Sequence, residues 1–261
     1  MARPSPQSSA GPFESVAPVA TAAVGGRPVP MAGARRAVAM SPIAAWIVSL
    51  LLTSLAVTVS FLWLDRPIAY LTHDLVQPFN LFSRLPKIPE AIFAGAGIAG
   101  LALGLRALTG RALTRPQAVF VLCTLSLGAA TVIKNQLKYV FGRTWPETWI
   151  NNNPSLIRDG VYGFHPFHGG RAYESFPSGH TAVTFAVLSV LWICYPRFRL
   201  LFAAIGLGVT GGLVGANFHF LSDVIAGAFV GLSTGWIGSA LWRAGAASPL
   251  PPAGGPPFTR R

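Results

Sequence analysis

Two histidines, one of them four residues before an aspartate, and a lysine and an arginine five residues apart are the groups in this chain with chemistry to do. His180 closes the tetrapeptide Pro177-Ser178-Gly179-His180 at the mouth of a long apolar run. His219 precedes Asp223 at i+4, and Lys138 and Arg143 close an apolar run further upstream. A phosphate ester at neutral pH is a dianion. Displacing its alcohol takes positive charge on the phosphate, a nucleophile and an acid for the leaving oxygen. Ser178 and Gly179 offer a hydroxyl and backbone N–H groups at the positive end of a helix, a seat for an anion. Lys138 adds a formal charge and Arg143 a bidentate fork. On a helical turn His219 and Asp223 meet; the carboxylate fixes the imidazole tautomer and raises its basicity, leaving His180 to act as the acid.

Such residues need elements that hold them at one place, and the composition says which. The chain has 261 residues, 52% of them hydrophobic and only 11% charged, with a mean hydropathy of +0.51. Soluble domains carry about a quarter charged residues, so a multi-pass, all-helical membrane protein is expected. The net charge of +12 does not indicate a nucleic-acid binder, because the arginines stand singly between apolar runs rather than on one basic face. Six segments come near the roughly 20 residues that cross a bilayer: Ile43–Leu64, Ile88–Leu108, Pro116–Val140, His180–Tyr195, Phe198–Phe218 and Ser222–Trp242. Glycines at four-residue spacing (Gly100 and Gly104; Gly208 and Gly212; Gly227, Gly231 and Gly235) predict close helix packing in lipid. Between the first two spans, Asp65–Lys87 has the pattern of a helix lying along the interface, broken at Pro78. Residues 1–42 and 244–261 read as disordered Pro- and Gly-rich tails around a membrane domain at 43–243, with no signal peptide evident. Cys123 and Cys194 fall in apolar segments and are expected as free thiols.

Orientation follows from the basic residues. Arg35, Arg36, Arg106, Arg111, Arg115, Arg197, Arg199, Arg243, Arg260 and Arg261 flank alternate connections, which places those connections and both termini on the cytoplasmic side. Lys138, His180 and the His219–Asp223 turn are separated by even numbers of crossings. All three groups then emerge on the opposite face.

The chain resembles the integral-membrane branch of the type 2 phosphatidic acid phosphatase / vanadium haloperoxidase superfamily. That family's pattern is Lys-x6-Arg-Pro, then Pro-Ser-Gly-His, then Ser-Arg-x5-His-x3-Asp, on a six-helix bundle. Lys138 with Pro146, Pro177–His180, and His219 with Asp223 match it. The family's first-motif arginine falls on Trp145 and its third-motif arginine on Leu213, with Gly212 at the serine. The resemblance implies His219 as nucleophile through a phosphohistidine, His180 as leaving-group acid and a lipid phosphate as substrate, without metal or other cofactor. Arg143 and Arg171 are the candidates to replace the missing guanidinium groups. Transfer of the phosphoryl group to an acceptor lipid, and binding without turnover, are the alternatives. The setting implied is a bacterial inner membrane, with the site on the non-cytoplasmic face.

The remaining polar groups have plainer readings. Lys134 is expected to be a snorkelling anchor in preference to a further cation behind the site, His73 structural, and Ser222 an N-cap. In the long loop Thr144–Phe176, the rings of Trp145, Trp149, Tyr162, Phe164 and Phe167 suit the membrane interface, and Asn151, Asn152 and Asn153 a polar head group. His165 and His168 stand at i, i+3, but the nearby acids (Glu147, Asp159, Glu174) are too few to suggest a metal site.

Overall fold

The first helix begins where Ser41 accepts a hydrogen bond from the amide of Ala44 and Pro42 supplies a preset φ. In this computed structural model the described residues are 40–76, 89–149 and 152–247. The helices are α1 (Pro42–Val59), α2 (Asp65–Val76), α3 (Pro89–Leu108), α4 (Arg115–Phe141), a single turn α5 (Leu156–Asp159), α6 (Gly179–Cys194), α7 (Arg199–Gly215) and α8 (Leu221–Ala247). No strand occurs among the described residues. Among the described residues each of the six apolar segments is helical over most of its length. The runs Pro42–Leu75, Arg115–Phe141, Pro196–Gly215 and Leu221–Gly245 are long and apolar enough to cross a membrane, and Gly95–Leu108 and Gly179–Cys194 are shorter apolar helices. The two tails lie largely outside the described residues, as do Pro78 and Asn151.

The first connection differs from the expected separate interfacial helix. A π-helical turn at Ser60–Leu64 joins α1 to α2 without a break. At 1.5 Å per residue the 34-residue run Pro42–Leu75 is about 51 Å long, well beyond the roughly 30 Å of a hydrocarbon core. The π turn loosens the carbonyl ladder, and Tyr162 Oη donates to the Phe61 carbonyl at 2.6 Å. Two bonds through Asn217 dock α2 on the α7–α8 turn: Thr72 Oγ1 donates to Asn217 Oδ1 (2.9 Å), and Asn217 Nδ2 to the Ala69 carbonyl (2.9 Å). This docking turns Asp65 inward, where it is buried.

The core is α4, α6 and α8, with α1 on α8, α7 on α6 and α3 on α4. Helices α6 and α8 run parallel in close contact because α8 has no side chain at the crossing points. A methyl on Gly231 would lie 2.3 Å from the Ala182 carbonyl oxygen, one on Gly227 2.5 Å from that of Ser178, and one on Gly235 1.7 Å from Ser189 Oγ. Gly100 meets Thr124 in the same way, at 2.4 Å, whereas Gly104, Gly208 and Gly212 have nothing within 4 Å. Equal spacing thus marks packing in α8 and not in α7. Gly231→Ala should therefore lower thermal stability in detergent by an amount corresponding to about 1–3 kcal/mol of overpacking, while Gly208→Ala should leave the melting temperature unchanged. Cys123 and Cys194 are free thiols in one apolar cluster.

Candidate active site

Helix α4 ends at Gly142, whose φ of +52° and contact with the loop admit no side chain: a methyl there would lie 1.9 Å from the His165 carbonyl oxygen. The chain then folds back over this end of the bundle. His165 N donates to the Gly142 carbonyl (2.6 Å) and Ser175 N to the Arg143 carbonyl (3.1 Å). Contrary to expectation, most of the loop's aromatic rings face inward. Trp149 stacks on Phe218 at 4.4 Å, Tyr162 on Phe61 at 4.9 Å, and Phe164 lies edge-on to Phe176 at 5.2 Å. Trp145 is buried, and only Phe167 is well exposed. The Asn153 amide braces the loop, donating to the carbonyls of Glu147 and Pro154 and accepting from Trp149 N. His73 bonds Glu147 at 3.0 Å, in keeping with a structural role.

Beneath this loop the separated motifs converge. The α6 N-terminus is tied to α8 by Ser178 N, which donates to the Asp223 carbonyl at 3.0 Å. Ser178 Oγ caps α6, accepting from Thr181 N (3.4 Å) and Thr181 Oγ1 (3.0 Å). His180, half-buried, follows in the first turn. His219 sits in the α7–α8 turn, with its amide on the Leu213 carbonyl at 3.2 Å. Its ring lies 5.2 Å from that of Trp145, and Lys138 Nζ lies 5.9 Å from the Trp145 centroid. Leu213 is buried and apolar, so it brings no donor to the site.

His219 Nδ1 faces Asp223 Oδ2 at 3.5 Å, long for a hydrogen bond. Ser175 bridges the gap: its Oγ donates to Asp223 Oδ2 at 2.6 Å and lies 3.4 Å from His219 Nδ1. Nothing in the local pattern had singled out this serine. Burial of the imidazole pushes its pKa below the usual 6.5, against the opposing pull of Asp223. The ring is therefore held neutral at pH 7.

Arg143 is placed otherwise than a phosphate ligand requires. It is fully buried. Nη1 donates to Asp223 Oδ1 and Ser222 Oγ, and Nη2 to Asp65 Oδ2 (2.7 Å) and Tyr162 Oη (3.2 Å). Phe220, Phe164, Phe61 and Tyr162 surround the guanidinium with centroids at 4.3, 4.9, 5.3 and 5.4 Å. Burial alone would lower its pKa, but Asp223 and Asp65 outweigh that and raise it. Its fork thus holds the acid behind His219 instead of reaching toward a phosphate. Ser222, read as an N-cap, instead joins this network through Asp65, which its backbone N–H (3.0 Å) and hydroxyl both contact.

Arg171 is exposed, and no ion pair engages it among the described residues. Its carbonyl accepts from Trp145 Nε1 at 2.8 Å, which puts the residue beside the ring that covers His219. Lys134, expected as an anchor, packs on the tetrapeptide: a methyl on Gly179 would lie 3.4 Å from its Nζ. His165 and His168 cluster with Tyr173 in the loop.

Comparison with known proteins finds relatives for part of this chain. Lipid A 1-phosphatases of Rhizobium etli and Rhizobium johnstonii are 39% identical over 107 residues and 40% identical over 98 residues. The matches cover 40% and 37% of this chain, and 41% and 36% of those proteins, so the chain spans about two fifths of the length of these curated relatives. The crystal structure of a transmembrane PAP2-type phosphatidylglycerolphosphate phosphatase from Bacillus subtilis covers 78% of this chain and 96% of its own at 20% identity. Its TM-score to this chain is 0.45. The PAP2 superfamily model matches residues 119–245, from α4 to the end of α8. Over that span this integral membrane protein is similar to the PAP2 superfamily.

Proposed function

We propose that the chain is a lipid-phosphate phosphatase that works through a phosphohistidine, without metal, at the non-cytoplasmic face of a bacterial inner membrane. In this reading six spans form the domain 43–243 and both termini are cytoplasmic. His219 Nε2, the nitrogen turned away from Asp223, attacks phosphorus while His180 protonates the leaving alcohol oxygen. The imidazole gains positive charge as the N–P bond forms, and Asp223, oriented by Ser175 and Arg143, stabilises it. Water, deprotonated by His180, then cleaves the N–P bond and releases phosphate. Lys138, the Ser178 hydroxyl and the Gly179 N–H hold the phosphate oxygens, with Arg171 at the rim. Arg143 serves as a positioning residue.

The observation that carries this reading is a buried imidazole whose one nitrogen faces a Ser175–Asp223 pair, at the bundle end where a helix N-terminus and Lys138 also lie. The relatives' names make a phosphorylated saccharolipid the first substrate to try. Absence of the two family arginines favours one alternative, binding of lipid phosphate without turnover. Phosphate release from a lipid phosphomonoester in mixed micelles decides between them.

Turnover unaffected by EDTA is expected. Because His219 attacks as the neutral base and burial depresses its pKa, the acid limb of kcat/KM should be centred below pH 6.5, with a separate fall at high pH as the acid His180 loses its proton. An acid limb centred above 6.5, or release that requires a divalent cation, would contradict the assignment. Mixed-lipid product analysis separates water from an acceptor lipid as the final phosphoryl acceptor.

A further inference from the structure

We propose that Lys134 is a second phosphate-binding cation of this site, supplying charge that Trp145 and Leu213 do not. The assignment deepens the phosphatase reading and rests on it for its kinetic consequence, though not for phosphate binding itself. Lys134 lies on α4 one turn before Lys138, where an anchoring lysine would extend its ammonium toward water. Instead its last atoms lie along the first residue of α6: a methyl on Gly179 would be 3.4 Å from Cδ, Cε and Nζ alike. That is the end of α6 where N–H groups find no acceptor within the helix and the dipole is positive.

Three positive features therefore meet. Lys134 and Lys138 repel each other one helical turn apart, and the α6 terminus adds to both. Glu174 interacts electrostatically with each lysine, yet among the described residues no carboxylate forms an ion pair with either. Lys134 Nζ donates to Asn135 Oδ1 at 2.8 Å, which leaves two of its three protons for another acceptor. A phosphate dianion between the lysines and the tetrapeptide converts this repulsion into attraction.

The other polar groups nearby do not supply the charge. Trp145 Nε1 is bonded to the Arg171 carbonyl, Leu213 is an apolar buried side chain, and Arg143 is held by two carboxylates. Without Lys134 the groups beneath the loop offer phosphate one lysine, the acid His180 and a few uncharged donors.

The test is binding of inorganic phosphate to the purified full chain in detergent, by calorimetry, with Lys134→Met, Lys134→Gln and Lys134→Arg beside the wild type. Loss of one charge-assisted contact should weaken phosphate binding roughly ten- to hundredfold in the Met and Gln variants, and Arg should restore most of it. Without phosphate the Met and Gln variants should melt at or above the wild-type temperature, since a repulsion has been removed. In the lipid assay the same loss should raise KM. Wild-type affinity in both neutral variants, or no phosphate binding by the wild type, overturns the assignment. If phosphate binding depends on Lys134 but no lipid ester is turned over, this assignment stands and the phosphatase reading falls. If turnover is present and indifferent to Lys134, the reverse holds.

Discussion

His219→Ala should reduce phosphate release from a lipid monoester by roughly 10⁴-fold or more, the scale seen when a nucleophile is removed from a catalytic unit. The protein should still fold. His219 is buried beside Trp145, but its ring is neutral and its contacts with Ser175 and Asp223 are long. Its loss leaves Asp223 with Ser175, Phe220 N and Arg143 as donors. The measurement is steady-state release with a melting curve on the same preparation. Activity within tenfold of wild type would rule out His219 as the attacking group.

Arg143→Leu should show the opposite balance, with stability lost before chemistry can be assessed. Removing the guanidinium strands two buried carboxylates, Asp65 and Asp223, both wholly inaccessible. Breaking such a buried pair from one side costs about 3–5 kcal/mol. Lysine is a poor substitute, because one ammonium cannot fork between two acids. Adding Asp65→Leu to Arg143→Leu should recover part of the stability, since one stranded charge is then gone. Had Arg143 been a phosphate ligand, its leucine variant would melt normally and bind substrate weakly. A melting temperature equal to wild type in Arg143→Leu would contradict the buried network.

The contrast between these two residues shows what the sequence can convey. The tetrapeptide and His219 with Asp223 were legible because each is a short spacing at a helix end, and the parity of crossings predicted that they would meet. Arg143 was just as visible, but its use depends on Asp65, 78 positions away on a helix whose apolar pattern suggested the membrane surface. No local signal announces that pairing. Ser175 is equally silent, as an ordinary loop serine whose partner is fixed only when Ser178 N bonds the Asp223 carbonyl. The loop rings were misplaced for a related reason: aromatic content fits a membrane interface and a packed loop alike, and here the cation at the centre of the cluster draws Phe61, Tyr162, Phe164 and Phe220 inward. Glycine spacing likewise states that helices can approach, and only the partner helix decides where they do.

Capture of the covalent intermediate tests the central claim most directly. The full chain, mixed with a lipid phosphomonoester and quenched during turnover in alkali, should carry a phosphoryl group on the peptide containing His219, stable to base and lost in acid as an N–P bond requires. The label should be absent from His219→Ala. Turnover that proceeds with the phosphoryl group on another residue, or with none at His219 at any quench time, would contradict the account.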